Sequence, residues 1–257
     1  KEAHNFLKKN NVNIIIATSE PFVLFKYADK LSREFKTPWL ADYRDPWTHD
    51  NSRYNKLPFL KVVDIIFEKK YLSSTQTITT PNNFFKAKLS NLFPNKKVNV
   101  IYNGFDSSSI DKAKNIPQTS DKLTLAYIGT ICDWHPIEIF LKVCEKFIKN
   151  YDNPLFVINF IGINNENKVK QLLDKKYQLL LKFVNFIPKL SNEKLVQKLA
   201  EQNVLILFNY YSNIGTKLFD YMAIKRQILF CFTEDSEAEN LKKMYYNFDE
   251  SLSKNKQ

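Results

Sequence analysis

Leu123-Thr124-Leu125-Ala126-Tyr127-Ile128-Gly129-Thr130 is an apolar, β-prone run that stops at a glycine, and a helix-spaced stretch, 136–149, follows it. A short apolar run bounded by a turn signal and then a long amphipathic stretch predicts a buried strand feeding a helix. The same unit repeats downstream. Runs at 155–161, 183–186, 204–208 and 228–232 alternate with helical stretches at 165–175, 191–201 and 216–224. It repeats upstream as well. Strands are predicted at 12–17, 39–43, 77–80 and 98–102. Helices are predicted at 22–35, through Leu60, Val63, Ile66 and Phe67, and at 82–92. Alternation without hairpin signals predicts parallel sheets covered by helices on both faces. Residues 106–121 are polar, contain Pro117 and lack periodicity, and are predicted to be a linker. The expectation is an α/β chain of two Rossmann-like, doubly wound domains, 1–105 and 122–257, facing a cleft. Ligands of such sheets bind beyond the carboxyl ends of the strands, near a switch point.

Composition supports a well-cored chain. Of 257 residues, 44% are hydrophobic and 25% charged, which excludes disordered, collagen-like and disulfide-scaffold classes. The net charge of +11 favours anionic partners such as phosphorylated ligands or acidic lipid. Nearly all of the surplus is Lys, with Arg only at 33, 44, 53 and 226. A Lys/Asn-rich composition also arises from genome base composition alone, and that is the plainer reading. Nucleic acid is not expected as a partner, because no aromatic-rich basic stripe or reading helix stands out. Cys132, Cys144 and Cys231 have no metal-ligand spacing and are expected as small apolar residues in a reducing compartment. No apolar run reaches the ~18 residues of a membrane span. The chain opens Lys1-Glu2-Ala3-His4, without Met, and is expected to be a piece of something longer.

Only four glycines occur, at 104, 129, 162 and 215, each after a predicted strand. Gly162 reads as an ordinary turn residue. Gly129 and Gly215 open loops into helices, where backbone N–H groups and the positive helix end suit a phosphate. No Gly-x-Gly-x-x-Gly or P-loop is present, which argues against a simple nicotinamide dehydrogenase or a P-loop NTPase. Three segments carry chemistry. Asp42-Tyr43-Arg44-Asp45-Pro46-Trp47 packs two carboxylates and an Arg at the end of a strand. Gly215-Thr216-Lys217-Leu218-Phe219-Asp220 places Thr216 and Asp220 on one helix face and Lys217 in the first turn. The macrodipole disfavours a cation there, and a bound anion or solvent resolves the conflict. The third segment, Val100-Ile101-Tyr102-Asn103-Gly104-Phe105-Asp106, ends a strand at the proposed domain boundary.

Trp39-Leu40-Ala41-Asp42-Tyr43-Arg44-Asp45-Pro46-Trp47, Ile101-Tyr102-Asn103-Gly104-Phe105-Asp106, Tyr127-Ile128-Gly129-Thr130 and Gly215-Thr216-Lys217-Leu218-Phe219-Asp220-Tyr221-Met222-Ala223 together resemble the bacterial glycosyltransferases of family 4. That family has the GT-B fold, and the order and spacing match over nearly the whole chain. The resemblance implies an acceptor-binding N-terminal domain, here lacking its first strands, and a nucleotide-sugar-binding C-terminal one, ending early. It implies a transferase that is retaining and metal-independent, with no cofactor beyond the donor itself, and no Asp-x-Asp motif is present. Gly215, Thr216 and Lys217 would contact the donor diphosphate, and Asp220, where Glu is usual, the ribose. Gly129, Thr130 and a basic position falling on His135 would approach the phosphates. Asp42, Arg44 and Asp45 would line the acceptor side. The sequence departs from the family at Ser212, where an acid is usual, and at Lys225 and Gln227, where Gly and Pro are usual. The acceptor implied is a cell-surface polysaccharide or glycolipid. The implied location is the cytoplasm, with peripheral contact at the anionic inner membrane face. Two alternatives stand beside this: a nucleotide-sugar-binding relative with impaired catalysis, and, more distantly, a sugar-nucleotide epimerase.

Overall fold

The computed structural model describes residues 1–48, 58–111, 113, 115–151, 154–208, 215–231, 237, 240 and 241. By its internal contacts the chain divides into two units, Lys1–Asn103 and the residues from Gly104 onward. Both are α/β with a parallel sheet, as the alternation predicts.

The first unit runs α1 (Glu2–Lys9), β1 (Ile15–Thr18), α2 (Val23–Phe35), β2 (Trp39–Asp42), α3 (Pro58–Tyr71), β3 (Thr77–Thr80), α4 (Asn83–Leu92) and β4 (Lys97–Val100). Its four strands pair in parallel in the order β1-β2-β3-β4. Ala17, Ala41, Ile78 and Val98 form one cross-strand row, and all four are buried in the core with Phe25 and Ala28 of α2. The neighbouring row is Ile16, Leu40, Thr77 and Lys97, and there Ile16 is 63% exposed. Among the described residues, coverage of both faces is therefore not met in this sheet. Every crossover steps the same way along it, and right-handed connections then place their helices on one face.

The second unit contains α5 (Ser107–Asp111), β5 (Leu123–Ile128), α6 (Ile137–Lys149), β6 (Phe156–Ile161), α7 (Glu166–Lys176) and a 3-10 turn at Gln178–Phe183. It continues with β7 (Val184–Ile187), α8 (Asn192–Ala200), β8 (Val204–Phe208), α9 (Thr216–Ile224) and β9 (Gln227–Cys231). The parallel order β7-β6-β5-β8-β9 reverses direction at β5, so successive crossovers fall on opposite faces. Two cores result. One holds Ile128 with α8 and α9, the other Tyr127 with α6 and α7. Asn159, which interrupts the apolar run of β6, donates to Gln202 Oε1 at 2.8 Å and accepts from Asn185 Nδ2 at 3.1 Å.

The segment 106–121, expected as a linker, joins this second unit. Ile110 and Ala113 are buried in its core, and Thr119 N–H donates to the Glu201 carbonyl. Gly162 also departs from the turn-residue expectation. Its φ is +59°, and a Cβ there would lie 3.2 Å from Lys189 Cα, so both torsion and space require glycine. Cys144 and Cys231 are buried free thiols that burial pushes up to about 12, whereas Cys132 is only half-buried. Ser212 lies outside the described residues.

Candidate functional site

The switch point of the second sheet lies beyond β5 and β8, which diverge after the Ala126–Leu205 pair. Gly129 follows β5 with φ +75°, a left-handed value that glycine takes without strain. The loop it opens is pinned by side chains. Ile131 N–H donates to Asn164 Oδ1 at 2.7 Å, and Asn165 Nδ2 donates to the Ile131 carbonyl at 2.7 Å. Tyr127 Oη donates to the Thr130 carbonyl at 2.6 Å.

Across the switch point stands α9. Gly215 is its N-cap with φ −81° and ψ 169°, an extended conformation open to any residue, and no atom of the described residues lies within 4 Å of where its Cβ would be. What glycine contributes at this position is the absence of a capping side chain, so among the described residues the first-turn N–H groups have no side-chain cap. Thr216 is exposed, and Lys217 is half-buried. Lys217 reaches back over β5, donating from Nζ to Tyr127 Oη at 3.2 Å and lying 4.7 Å above the Tyr127 ring centroid. A Cβ on Gly129 would sit 3.4 Å from Lys217 Cε and 3.5 Å from its Nζ. The glycine thus leaves room for the ammonium. Burial pushes the Lys217 pKa down, and among the described residues no carboxylate pairs with it.

His135 is held by the same loop. Its Nδ1 accepts from Cys132 N–H at 3.0 Å, and Tyr127 Oη lies 3.4 Å from that nitrogen. Burial, and then the charge of Lys217, lower its pKa to about 4, so the ring is neutral near pH 7. The cation of the site is therefore Lys217. Asp220, one turn into α9, is half-buried, and desolvation raises its pKa. Lys225 ends α9 in the left-handed conformation at φ 59°. Glycine is the usual residue at such a helix end, and Lys225 takes the conformation at a strain cost of about 1 kcal/mol.

Gly129, Lys217 and His135 are thus brought together, with Thr130, Gly215, Thr216 and Asp220 on the two elements that carry them. Tyr127 organises the group and was not among the residues expected there. Its strand position hides it, because a buried β-strand tyrosine looks like core.

Asp42, Arg44 and Asp45 belong to the first unit. Asp42 is half-buried and accepts from Thr79 Oγ1 at 2.7 Å, whereas Arg44 and Asp45 are exposed. The flanking residues are firmly held. Tyr43 Oη donates to Glu68 Oε1 at 2.7 Å and Thr48 Oγ1 donates to Glu68 Oε2 at 2.5 Å. Glu68, on α3, is fully buried. Desolvation raises its pKa although both hydrogen bonds favour the carboxylate. A cavity of about 490 Å³ lies elsewhere in this unit, lined by His4, Leu24, Tyr27 and Leu31, and touches none of these groups.

The class this fold defines is GT-B: two Rossmann-like α/β units in one chain. The chain is similar in structure to sucrose-phosphate synthase from Thermosynechococcus elongatus, at TM-score 0.65 and 14% identity, over 96% of this chain and 67% of that one. HepE from Anabaena in complex with UDP gives TM-score 0.66 and 12% identity, over 98% of this chain and 72% of that one. HepE has also been solved with UDP-glucose and with UDP and glucose. A glycosyltransferase from Rickettsia africae gives TM-score 0.61 and 16% identity, over 98% and 69%. No protein-family model and no curated protein sequence matches the chain.

Proposed function

We propose that the chain is a glycosyltransferase that moves a sugar from a nucleotide-sugar donor to a cell-surface polysaccharide or glycolipid acceptor, retaining and without a metal. The observation that carries this is Lys217: a half-buried ammonium at an uncapped helix N-terminus, over the switch point, with no described carboxylate beside it. A diphosphate supplies the missing anion. Its oxygens accept from the first-turn N–H groups of α9 and from Nζ, while Asp220 takes the ribose hydroxyls. As the glycosidic bond breaks, negative charge gathers on the leaving diphosphate, and donors already aimed at it lower the barrier. Gly129 and Thr130 line the phosphate side, and neutral His135 offers its Nε2–H. Asp42, Arg44 and Asp45 serve the acceptor. Cytoplasmic work, with peripheral contact at an anionic membrane, belongs to the same proposal. The complexes of HepE with UDP and UDP-glucose support the choice of ligand class.

Incubation with UDP-, GDP-, ADP- and dTDP-sugars in the presence of EDTA, with nucleoside diphosphate release as the readout, tests it. Release from one donor supports transfer. Diphosphate binding without release favours an impaired nucleotide-sugar-binding relative, and neither binding nor release removes the proposal.

A further inference from the structure

Helix α3 is turned inside out. Surface helices normally bury their apolar stripe and show their charges to water. Here Phe59, Val62 and Ile66 are 64%, 62% and 60% exposed, and Val63 and Phe67 share their face, at the i, i+3, i+4, i+7, i+8 spacing of one stripe. The inward side carries the acids: Glu68 is buried and Asp64 half-buried. Exposed Lys69 and Lys70 stand at the C-terminal end of the outward face. We propose that this face of α3 lies in the surface of an anionic lipid bilayer, Phe59, Val62 and Ile66 entering the acyl boundary and Lys69 and Lys70 meeting the headgroups.

Three features select a bilayer. An apolar stripe with lysines beside it and acids opposite is the pattern of an interfacial helix. Lysine stems extend along apolar surface and keep their ammonium groups at headgroup level. A second copy of the chain fits less well, since each copy carries +11 and association brings two like net charges together, whereas an anionic surface offsets them. The 14-residue helix lies in the surface rather than through it, and no described helix is long and apolar enough to cross a membrane. The face is also wired to the candidate acceptor segment. Glu68, on the opposite side of α3, holds Tyr43 and Thr48, which flank Arg44 and Asp45. A bilayer under α3 thus holds that segment near a lipid-linked acceptor. This deepens the peripheral contact proposed above and is tested apart from sugar transfer.

The experiment is cosedimentation of the full chain with phosphatidylcholine vesicles, with and without phosphatidylglycerol, beside titration with UDP. Binding is expected only to the anionic vesicles. Each lysine near such a surface contributes roughly fivefold, so K69Q/K70Q should weaken binding about thirtyfold. V62E/I66E should abolish it, with circular dichroism and UDP affinity unchanged, since these side chains already face solvent. Failure to bind anionic vesicles overturns the proposal, as does vesicle binding that survives V62E/I66E. A parent chain that is dimeric by light scattering and made monomeric by V62E/I66E also overturns it, since the stripe is then a protein interface. UDP binding without vesicle binding removes only this inference, and the converse removes only the transferase.

Discussion

Replacing Lys217 by Met separates a ligand-binding cation from a structural one. The Nζ gives one neutral hydrogen bond, to Tyr127 Oη at 3.2 Å, and burial lowers its pKa. Holding a charge there without an anion weakens the fold, because desolvation penalises the ammonium more than that bond returns. Methionine keeps the stem packing over the Tyr127 ring and removes the charge. The melting temperature should therefore stay level or rise. Diphosphate binding should fall, since a charge-assisted hydrogen bond contributes about 1.5–3 kcal/mol, or roughly tenfold to a hundredfold in affinity. The free nucleoside should bind as before. A pH signature follows. Bound diphosphate raises the Lys217 pKa above its lowered value in the free protein, so affinity is full below the free-protein pKa. It declines as pH rises from there to the pKa of the complex, and the variant lacks this slope. Calorimetric titration with a diphosphate and its nucleoside, beside thermal melts, measures all three. Unchanged diphosphate affinity with a lowered melting temperature would refute the assignment, since Lys217 would then be a packing residue.

Asp220→Asn should weaken nucleoside and nucleoside diphosphate alike, by about tenfold for one charged hydrogen bond, in the same titrations. Gly129→Ala and Gly162→Ala both force alanine into positive φ, and each should cost about 1–2 kcal/mol in urea unfolding. Only the former, crowding Lys217 Nζ, should also reduce diphosphate affinity. Glu68 has a folded pKa raised above its ordinary 4.5, so its share of stability is full below that value and is lost as pH rises through the folded pKa. Melting temperatures of the parent should drop across that window, and Glu68→Gln should flatten the drop.

The elements most legible in the sequence were apolar runs with sharp ends. Leu123–Ile128, Val204–Phe208 and Thr216–Ile224 stand at the residues predicted, because β-branched or apolar runs bounded by polar or glycine positions leave little choice of register. Helix α1 carries five polar side chains in eight residues and gave no core signal. Segment 106–121 looked like a linker since only Ile110 and Ala113 anchor it, and two apolar residues make no period. Gly129 and Lys217 were singled out by residue type and spacing, and the structure brings them side by side. Tyr127 and Glu68 were not, because each acquires its role from partners distant in the chain, Lys217 for one and Tyr43 with Thr48 for the other. Glycine scarcity pointed to Gly129 and Gly215 as loop openers and set Gly162 aside, yet the demanding torsions are at Gly129 and Gly162. Helical periodicity revealed the stripe on α3 but not its direction, which depends on what the helix packs against.

The central claim is that a nucleoside diphosphate seats its phosphates between Gly129 and the first turn of α9. A crystal structure of the chain grown with UDP, or with whichever diphosphate binds in titration, tests it most directly. The account predicts phosphate oxygens within hydrogen-bonding distance of Lys217 Nζ and of the Thr216 or Lys217 backbone N–H, with the ribose beside Asp220. A diphosphate bound elsewhere, with Lys217 Nζ still resting on Tyr127 Oη, would contradict it.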